Sequence, residues 1–208
     1  VTLPVRGGKW FDRMAVGSHL PRYNSLVVLT HFKGHTQGGF GGSNKNIGIG
    51  CADGRIGKAW IHTTPGQDNQ WDIAKEEFME RMTESTKAVV DHFGRHITYV
   101  NVMRNMSVSC DCEGLAAAPV VTPNVGILSS TDILALDQAC IDLVYAMTEA
   151  EHHDLVERIE SRHGLRQLSY MKELGMGNDR YVLIDLDNGG RRITPAEAVK
   201  GLKPFVAE

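Results

Sequence analysis

The segment from His31 to Thr63 constrains the fold of this chain most, because it holds nine of the chain's 22 glycines. Glycine loses more conformational freedom on folding than any other residue and brings no side chain to a core. The segment follows a short apolar run, LVVLT at residues 26–30, which predicts a buried strand. We therefore expect residues 34–58 to form a long irregular loop whose backbone something approaches closely, and such loops are usually functional.

Length and composition indicate an ordinary globular protein. The chain has 208 residues, of which 42% are hydrophobic and 23% are charged, enough for one large domain. Its net charge of −3 lacks the polycationic signature of nucleic-acid-binding proteins, and no apolar run approaches the roughly 18 residues of a membrane span. The first residue is Val1, which predicts a processed or fragmentary N-terminus.

Hydrophobic periodicity predicts that strands and helices alternate along the chain. Strands are expected at 26–30, at 97–103 and at the end of 119–129, and helices at 72–93, 132–147, 149–162 and 165–174. A hairpin is expected over 180–194, and a short helix follows a capping box at 194–197. We predict one α/β domain over residues 1–208: a mixed, mainly parallel sheet flanked by helices, with a C-terminal hairpin and short helix.

Two of these helices support more detailed predictions. Helix 72–93 is expected to begin at Asp72, to end at Gly94 and to carry its charged residues away from its apolar stripe. Asp132 is expected to cap helix 132–147, and Asp137 lies near the edge of that helix's stripe, where a buried carboxylate needs a partner. The stripe of helix 72–93 consists of Phe78, Met82, Val89 and Phe93.

A first cluster of candidate functional residues begins at the end of the first strand. His31, Lys33 and His35 alternate there, so they face the same way if the chain stays extended. Ligands bind at the carboxyl ends of strands in α/β sheets, and lysine, asparagine and histidine donors suit a phosphate or a carboxylate. The alternative is that the lysines are solvated and the histidines make ordinary loop hydrogen bonds. We predict Lys33, Lys45, Asn46 and His62 as substrate-binding residues and His31, His35 and Asp132 as the catalytic residues that move protons.

The four cysteines form the second candidate site. Cys110 and Cys112 share a face if the chain is extended and could bind one metal ion or one edge of a cluster. The alternatives are small buried residues at a turn for this pair and core packing for Cys140, which lies on an apolar helix stripe. An even number of cysteines in a chain this long does not imply disulfides, so we expect free or metal-bound thiols in a cytoplasmic protein. The predicted metal ligands are Cys51, Cys110, Cys112 and Cys140, for an iron–sulfur cluster or a single iron or zinc ion.

Several common motifs are absent from the sequence. The glycine-rich segment is not a phosphate-binding P-loop, because Asn44 and Asn46 flank Lys45 where Gly and Ser or Thr are required. GIGCAD at 48–53 lacks the third glycine of a dinucleotide fingerprint. The sequence contains no C-x-x-C, so it has neither a zinc-ribbon motif nor a ferredoxin-type cluster motif.

The sequence resembles the large family of iron–sulfur-centre proteins called domain of unknown function 362. The resemblance covers most of the chain. It rests on THFKGHTQGGFGGSNKNIGIGCADGRIGKAWIH at 30–62, CDC at 110–112, NVGILSSTDILALDQAC at 124–140 and GMGNDRYVLIDL at 175–186. It implies a possible cluster or metal site but supplies no reaction.

The chain departs from that family in three ways. Many members carry a ferredoxin-like insert between the histidine and the CDC, where this chain has the 72–93 helix. Asn124 stands where members have Asp, and Ile133 stands where they have Pro. Members also have about a hundred residues before the LPVRGGK segment, which implies that this chain is the C-terminal part of a longer architecture or that a partner chain supplies the rest.

Three functions follow from these observations. The first is a metal or iron–sulfur protein with redox or Lewis-acid chemistry on a small anionic substrate, which we favour because a core does not need the CDC pair. The second is a metal-independent enzyme that uses the lysines, histidines and Asn46 as an anion pocket. The third is a non-catalytic binding or scaffold subunit. No nucleic-acid or membrane partner is expected, and a homo-oligomer is possible.

Overall fold

The computed structural model describes residues 1–64, 69 and 71–206, apart from the side chains of residues 111, 112 and 115. The strands are β1 (Thr2–Pro4), β2 (Arg13–Ala15), β3 (Leu26–His31), β4 (Lys33–His35), β5 (Gly39–Gly41), β6 (Ile97–Met103), β7 (Gly126–Ser130), β8 (Leu183–Asp185) and β9 (Arg191–Ile193). The α-helices are α1 (Ser43–Gly50), α2 (Gly57–His62), α3 (Lys75–Phe93), α4 (Ile133–Tyr145), α5 (Glu149–Ser161), α6 (Arg166–Glu173) and α7 (Pro195–Val199). Among the described residues, no helix is long and apolar enough to cross a membrane.

A mixed three-stranded sheet in the order β3-β6-β7 confirms the predicted α/β class. Strand β3 runs parallel to β6, whereas β7 runs antiparallel to β6. The sheet is therefore mixed without the parallel majority that the sequence predicts. The pairs β1–β2, β4–β5 and β8–β9 form separate two-stranded antiparallel sheets. The C-terminal hairpin β8–β9 and the capping box of α7 both lie where the sequence predicts them.

The two faces of the central sheet have different surroundings. Val28, Tyr99 and Asn101 point into the buried interior, where α1 packs on β3 and α4 packs on β6. On the opposite face Leu29 is 67% exposed and Ile127 also 67% exposed. Alternate residues of a strand point to opposite faces, so His31 shares the exposed face with Leu29.

The glycine-rich segment is not the long irregular loop that its composition predicts. It forms the hairpin β4–β5 and the helices α1 and α2. A Cβ on Gly48 of α1 would lie 2.5 Å from the carbonyl oxygen of Met82 in α3. A Cβ on Gly34 would lie 2.1 Å from the carbonyl oxygen of Val108. Real Cβ atoms do not approach backbone so closely, so these glycines serve the close packing of one backbone segment on another.

Helix α1 begins without a capping side chain of its own. Its N-cap is Gly42, and the carboxylate of Asp137 on α4 takes the place of a cap. Asp137 accepts hydrogen bonds from the backbone N–H groups of Ser43 at 2.8 Å and Asn44 at 2.9 Å, and from Asn101 Nδ2 at 2.8 Å. A negative group at a helix N-terminus satisfies its free N–H donors and complements the helix dipole. The expectation that a buried Asp137 needs a partner is confirmed.

Helix α3 begins later than predicted, at Lys75 instead of Asp72, and ends at Gly94 as predicted, with φ +55°. Its predicted apolar stripe is buried, but three charged side chains expected on the exposed side are buried as well. They are Glu80, Arg81 and Glu84. Glu84 accepts hydrogen bonds from the backbone N–H of Lys9 at 2.6 Å, from that of Phe11 at 2.9 Å and from the Tyr170 hydroxyl at 2.6 Å. The N-terminal segment therefore covers this side of α3, which helical periodicity alone could not indicate.

Replacing Asp137 should destabilise the protein strongly. Asp137→Ala leaves two buried backbone N–H groups and one amide without an acceptor, and each such group costs about 1–3 kcal/mol. We expect a loss of at least about 2 kcal/mol in the free energy of unfolding, measured by urea titration. Asp187→Ala, on the exposed β8–β9 turn, is the control and should change it by less than about 0.5 kcal/mol. Similar losses for the two variants would contradict the capping role.

Candidate functional site

Four predicted residues come together as a group that we call the cationic cluster: Lys33, His35, Lys45 and His62. Lys33 and His35 lie on β4, Lys45 on α1 and His62 at the end of α2. Lys33 is only 7% exposed. Burial of a lysine is rare, and placing a second one beside it concentrates positive charge. Lys33 and Lys45 also make further contacts within the chain.

Gly41 allows the two lysines to approach each other. It pairs with Lys33 across the β4–β5 hairpin. A Cβ on Gly41 would lie 3.4 Å from Lys33 Nζ and 3.3 Å from Lys45 Cδ. Both side chains therefore pass directly over the Gly41 backbone. This glycine is a site residue that sequence reasoning missed, although it lies within the glycine-rich segment.

His35 is held neutral by its surroundings. Burial, followed by the charges of Lys45 and Lys33, lowers its pKa from 6.5 to about 3, although Glu113 opposes this shift. Its Nδ1 lies 2.8 Å from the backbone N–H of Gly38, which donates to it. Because Nδ1 accepts this bond, we assign the ring proton to Nε2. The cluster thus contains a neutral imidazole that still has a proton to donate.

His62 has the opposite arrangement of its ring nitrogens. Its Nδ1 lies 2.7 Å from the carbonyl oxygen of Lys58, an acceptor only, so Nδ1 carries the proton and Nε2 is the acceptor when the ring is neutral. Burial lowers the pKa of His62, the bond to Lys58 raises it, and the charge of Lys45 lowers it further. The His62 ring also contacts the ring of Phe78, with 5.2 Å between their centroids.

A carboxylate that the sequence analysis did not single out borders the cluster. Glu113 accepts hydrogen bonds from the backbone N–H of Cys110 at 3.0 Å and from the Thr36 hydroxyl, and Arg158 lies 3.9 Å away. The Thr36 hydroxyl and the Cys110 N–H hold the pKa of Glu113 below its usual value. Glu113 directly follows the CDC sequence, and this position beside a candidate site was the one feature of the sequence that could have indicated it.

The hydrogen bonds described for His31 and Asn46 lie outside the cationic cluster, and their catalytic and substrate-binding roles stay predictions. The chain leaves the central sheet after His31, so His31 does not share a strand with Lys33 and His35. Its Nε2 lies 2.8 Å from the carbonyl oxygen of Arg104. Asn46 Nδ2 donates to the Leu29 carbonyl at 3.0 Å and to Thr30 Oγ1 at 2.9 Å, which joins α1 to β3.

Asp132 is the helix cap that the sequence predicts, and its contacts are structural. Its Oδ1 accepts from the backbone N–H of Ala135 at 2.9 Å. Its Oδ2 accepts from both the backbone N–H and Nδ2 of Asn178, each at 2.9 Å. Asp132 therefore joins the start of α4 to the GMGN segment at 175–178, and a catalytic role for it stays a prediction.

The cysteines do not form the predicted four-thiolate site among the described residues. Cys110 is disulfide-bonded, which corrects the expectation of a free or metal-bound thiol. Cys140 is completely buried and accepts from Asn101 Nδ2 at 3.4 Å, and burial followed by the charge of Asp137 raises its pKa. Burial also raises the pKa of Cys51.

No three His, Cys, Asp or Glu side chains within the described part of the chain are arranged to hold a metal ion. The side chain of Cys112 lies outside the described residues, so the prediction of a metal ion or iron–sulfur cluster stays a prediction.

Comparison with known proteins identifies the family. The family model described as Domain of unknown function (DUF362) matches residues 1–142. This chain belongs to the DUF362 family. The matched region includes the whole cationic cluster, Asp137 and all four cysteines, and so confirms the resemblance read from the sequence. No curated protein and no solved structure matched the chain.

The lowered pKa of His35 should make folding stability depend on pH. The unfolded chain takes up this proton near pH 6.5 and the folded chain only near pH 3. Stability should therefore fall as the pH drops from 6.5 towards 3. Between pH 7 and 5, wild type should lose about 1–2 kcal/mol more than His35→Asn, measured by urea unfolding. The asparagine Oδ1 can still accept from Gly38 but does not titrate, so equal losses for both proteins would contradict a neutral His35.

Proposed function

We propose that this DUF362 protein binds a small anionic ligand, a carboxylate or a phosphate, at the cationic cluster. The observation that carries the proposal is the buried Lys33 beside Lys45, both lying against the Gly41 backbone. Lysine ammonium groups bind phosphates and carboxylates through charge-assisted hydrogen bonds. An anion here would compete with the contacts that the two lysines already make within the chain.

We further propose that the two histidines move protons on the bound anion. With Nε2 protonated, His35 can act as an acid, and with Nε2 free, His62 can act as a base. The pKa of His35 is low partly because of Lys45 and Lys33. An arriving anion offsets those charges and raises this pKa, so binding should bring proton uptake. This combination supports acid–base chemistry on a small anion as the reaction class.

One measurement decides the alternative function, a metal or iron–sulfur protein with redox or Lewis-acid chemistry. Iron and zinc content, together with a visible spectrum, should be measured on protein purified without oxygen. About one bound metal per chain that is lost in Cys110→Ser/Cys112→Ser would establish a thiolate metal site. We expect no stoichiometric metal, because Cys110 is disulfide-bonded and no three His, Cys, Asp or Glu side chains of the described residues are arranged to hold an ion.

We also propose a cytoplasmic location, a partner chain that supplies an N-terminal part, and assembly as a homo-oligomer. A non-catalytic binding or scaffold subunit would turn over no anion that it binds. Replacement of Lys45 should abolish turnover if the protein is an enzyme and should leave partner binding unchanged if it is a scaffold.

Substitution of Lys45 should weaken anion binding. We expect Lys45→Met to raise the Kd for inorganic phosphate or for succinate by about tenfold at pH 7, because one charge-assisted contact is lost. The measurement is isothermal titration calorimetry, and Lys200→Met, at the exposed end of α7, is the matched control. In wild type, phosphate should also raise the His35 pKa, followed by the NMR shifts of its ring protons.

Two results would contradict this proposal. One is equal phosphate and succinate affinity in Lys45→Met and Lys200→Met. The other is binding that leaves the His35 titration unchanged, since an anion at the cationic cluster must reduce the effect of the lysine charges.

A further inference from the structure

A cavity that none of the cationic cluster residues lines lies between the N-terminal segment, α2 and α3. Its volume is about 780 Å³, within the range of small-molecule sites. Its walls include three aromatic side chains, Trp10, Phe11 and Trp60. Phe11 and Trp60 are stacked with 6.3 Å between ring centroids and 29° between their planes. Such walls suit a flat aromatic ligand.

The aromatic walls are held in place by buried carboxylates of α3. Glu84 is completely buried and accepts from the backbone N–H groups of Lys9, Trp10 and Phe11. Glu80 Oε2 accepts from the Trp10 indole Nε1 at 2.8 Å. The backbone and one ring are thus fixed before any ligand arrives, which reduces the entropic cost of binding.

Arg81 lines the same cavity and keeps one unused hydrogen-bond donor. It is 93% buried, and its Nη1 donates to the carbonyl oxygens of Trp60 at 2.9 Å and Thr63 at 3.1 Å, while its Nη2 pairs with Glu77 at 2.7 Å. Its Nε is buried and has no hydrogen-bond partner among the described residues. The guanidinium lies over the rings of Trp10, 4.9 Å from its centroid, and Phe11, 5.6 Å from its centroid, and so helps to fix both aromatic walls.

Two charged side chains of the N-terminal segment complete the lining. Arg13 and Asp12 are both exposed and both border the cavity. Arg13 can bind a phosphate or carboxylate group, and Asp12 can accept a hydrogen bond from a ring amino group. The lining therefore combines aromatic walls, a carboxylate acceptor and a cation.

We propose that this cavity binds a planar heteroaromatic ring that carries a negatively charged group, the chemistry of a nucleoside monophosphate. The ring lies against Trp60 and Phe11, and the charged group reaches Arg13. The site is distinct from the anion site proposed above and does not depend on it.

The test is titration of the full chain with AMP by isothermal titration calorimetry, with adenosine and ribose 5-phosphate as the two halves of the ligand. We expect one AMP per chain, bound more tightly than either half. Trp60→Leu should weaken AMP binding at least about fivefold, since loss of one stacking contact costs that much or more. Its matched control, Trp71→Leu, removes a tryptophan that is 59% exposed and does not line the cavity, and should leave the Kd unchanged.

A second pair of variants tests the charged group. Arg13→Gln should weaken AMP binding about threefold to tenfold and leave adenosine binding unchanged, whereas Arg55→Gln, on an exposed turn, should affect neither. Thermal unfolding confirms that each variant is folded.

Three outcomes would overturn the proposal. They are no saturable AMP binding by about 1 mM, equal AMP affinity in Trp60→Leu and Trp71→Leu, or AMP binding no tighter than that of ribose 5-phosphate and lost in Lys45→Met. The last result would assign the phosphate to the cationic cluster. Failure of the phosphate measurements at Lys45 leaves this proposal intact, because adenosine carries no phosphate.

Discussion

The carboxylate of Asp137 at the start of α1 is the interaction on which the arrangement of this protein depends most. It lies 94 residues from Ser43 in sequence and connects α4, β6 and the glycine-rich segment at one buried point. Gly42 has no side chain to cap the helix, and a Cβ there would lie 2.6 Å from Asp137 Oδ1. The glycine and the aspartate therefore require each other. The direction of α1, and with it the position of Lys45, follows from this pair.

Buried carboxylates on α3 perform a similar task on the other side of α1. Glu84 binds the backbone of residues 9–11, and Glu80 binds Lys9, Trp10 and Arg166. A buried charge is stable only when it is paired or fully hydrogen-bonded. Here each carboxylate has several donors, so the polar network joins distant segments instead of destabilising the core. The same network places Trp10 and Phe11 at the wall of the 780 Å³ cavity.

Local patterns in the sequence predicted the regular elements well, and long-range contacts explain what they missed. Some elements depend mainly on residues that are neighbours in sequence, so a short stretch of sequence is enough to predict them. They are strand β6, the Asp132 cap, the C-terminal hairpin and the Thr194 capping box. The glycines of 34–58 predicted a loop because their partners, such as Met82 and Val108, lie far away in sequence. Glu84 looked like an exposed helix residue for the same reason, since nothing near it in sequence indicates the Lys9–Phe11 segment.

In the candidate site, too, local patterns were predicted correctly and long-range contacts were not. The alternation of His31, Lys33 and His35 predicted that they face the same way only if the chain stays extended. Lys33 and His35 do share strand β4, and Lys45 and His62 join them. His31 is separated because the chain changes sheets at Phe32, which strand periodicity cannot reveal. Asn46 sits next to Lys45 in sequence, yet neighbouring residues on a helix point in different directions, and Asn46 bonds to β3 instead.

The histidines also explain how two lysines can share a small buried space. Burial, followed by the charges of Lys45 and Lys33, lowers the pKa of His35 to about 3, since a protonated ring would be a third positive charge in this space. The cluster is therefore less positive at neutral pH than its composition suggests. An anion that offsets the positive charges of the two lysines raises the pKa of His35 and so makes its protonation easier. Anion affinity should for that reason increase as the pH falls from neutrality, so the cluster couples ligand binding to proton uptake without any change in fold.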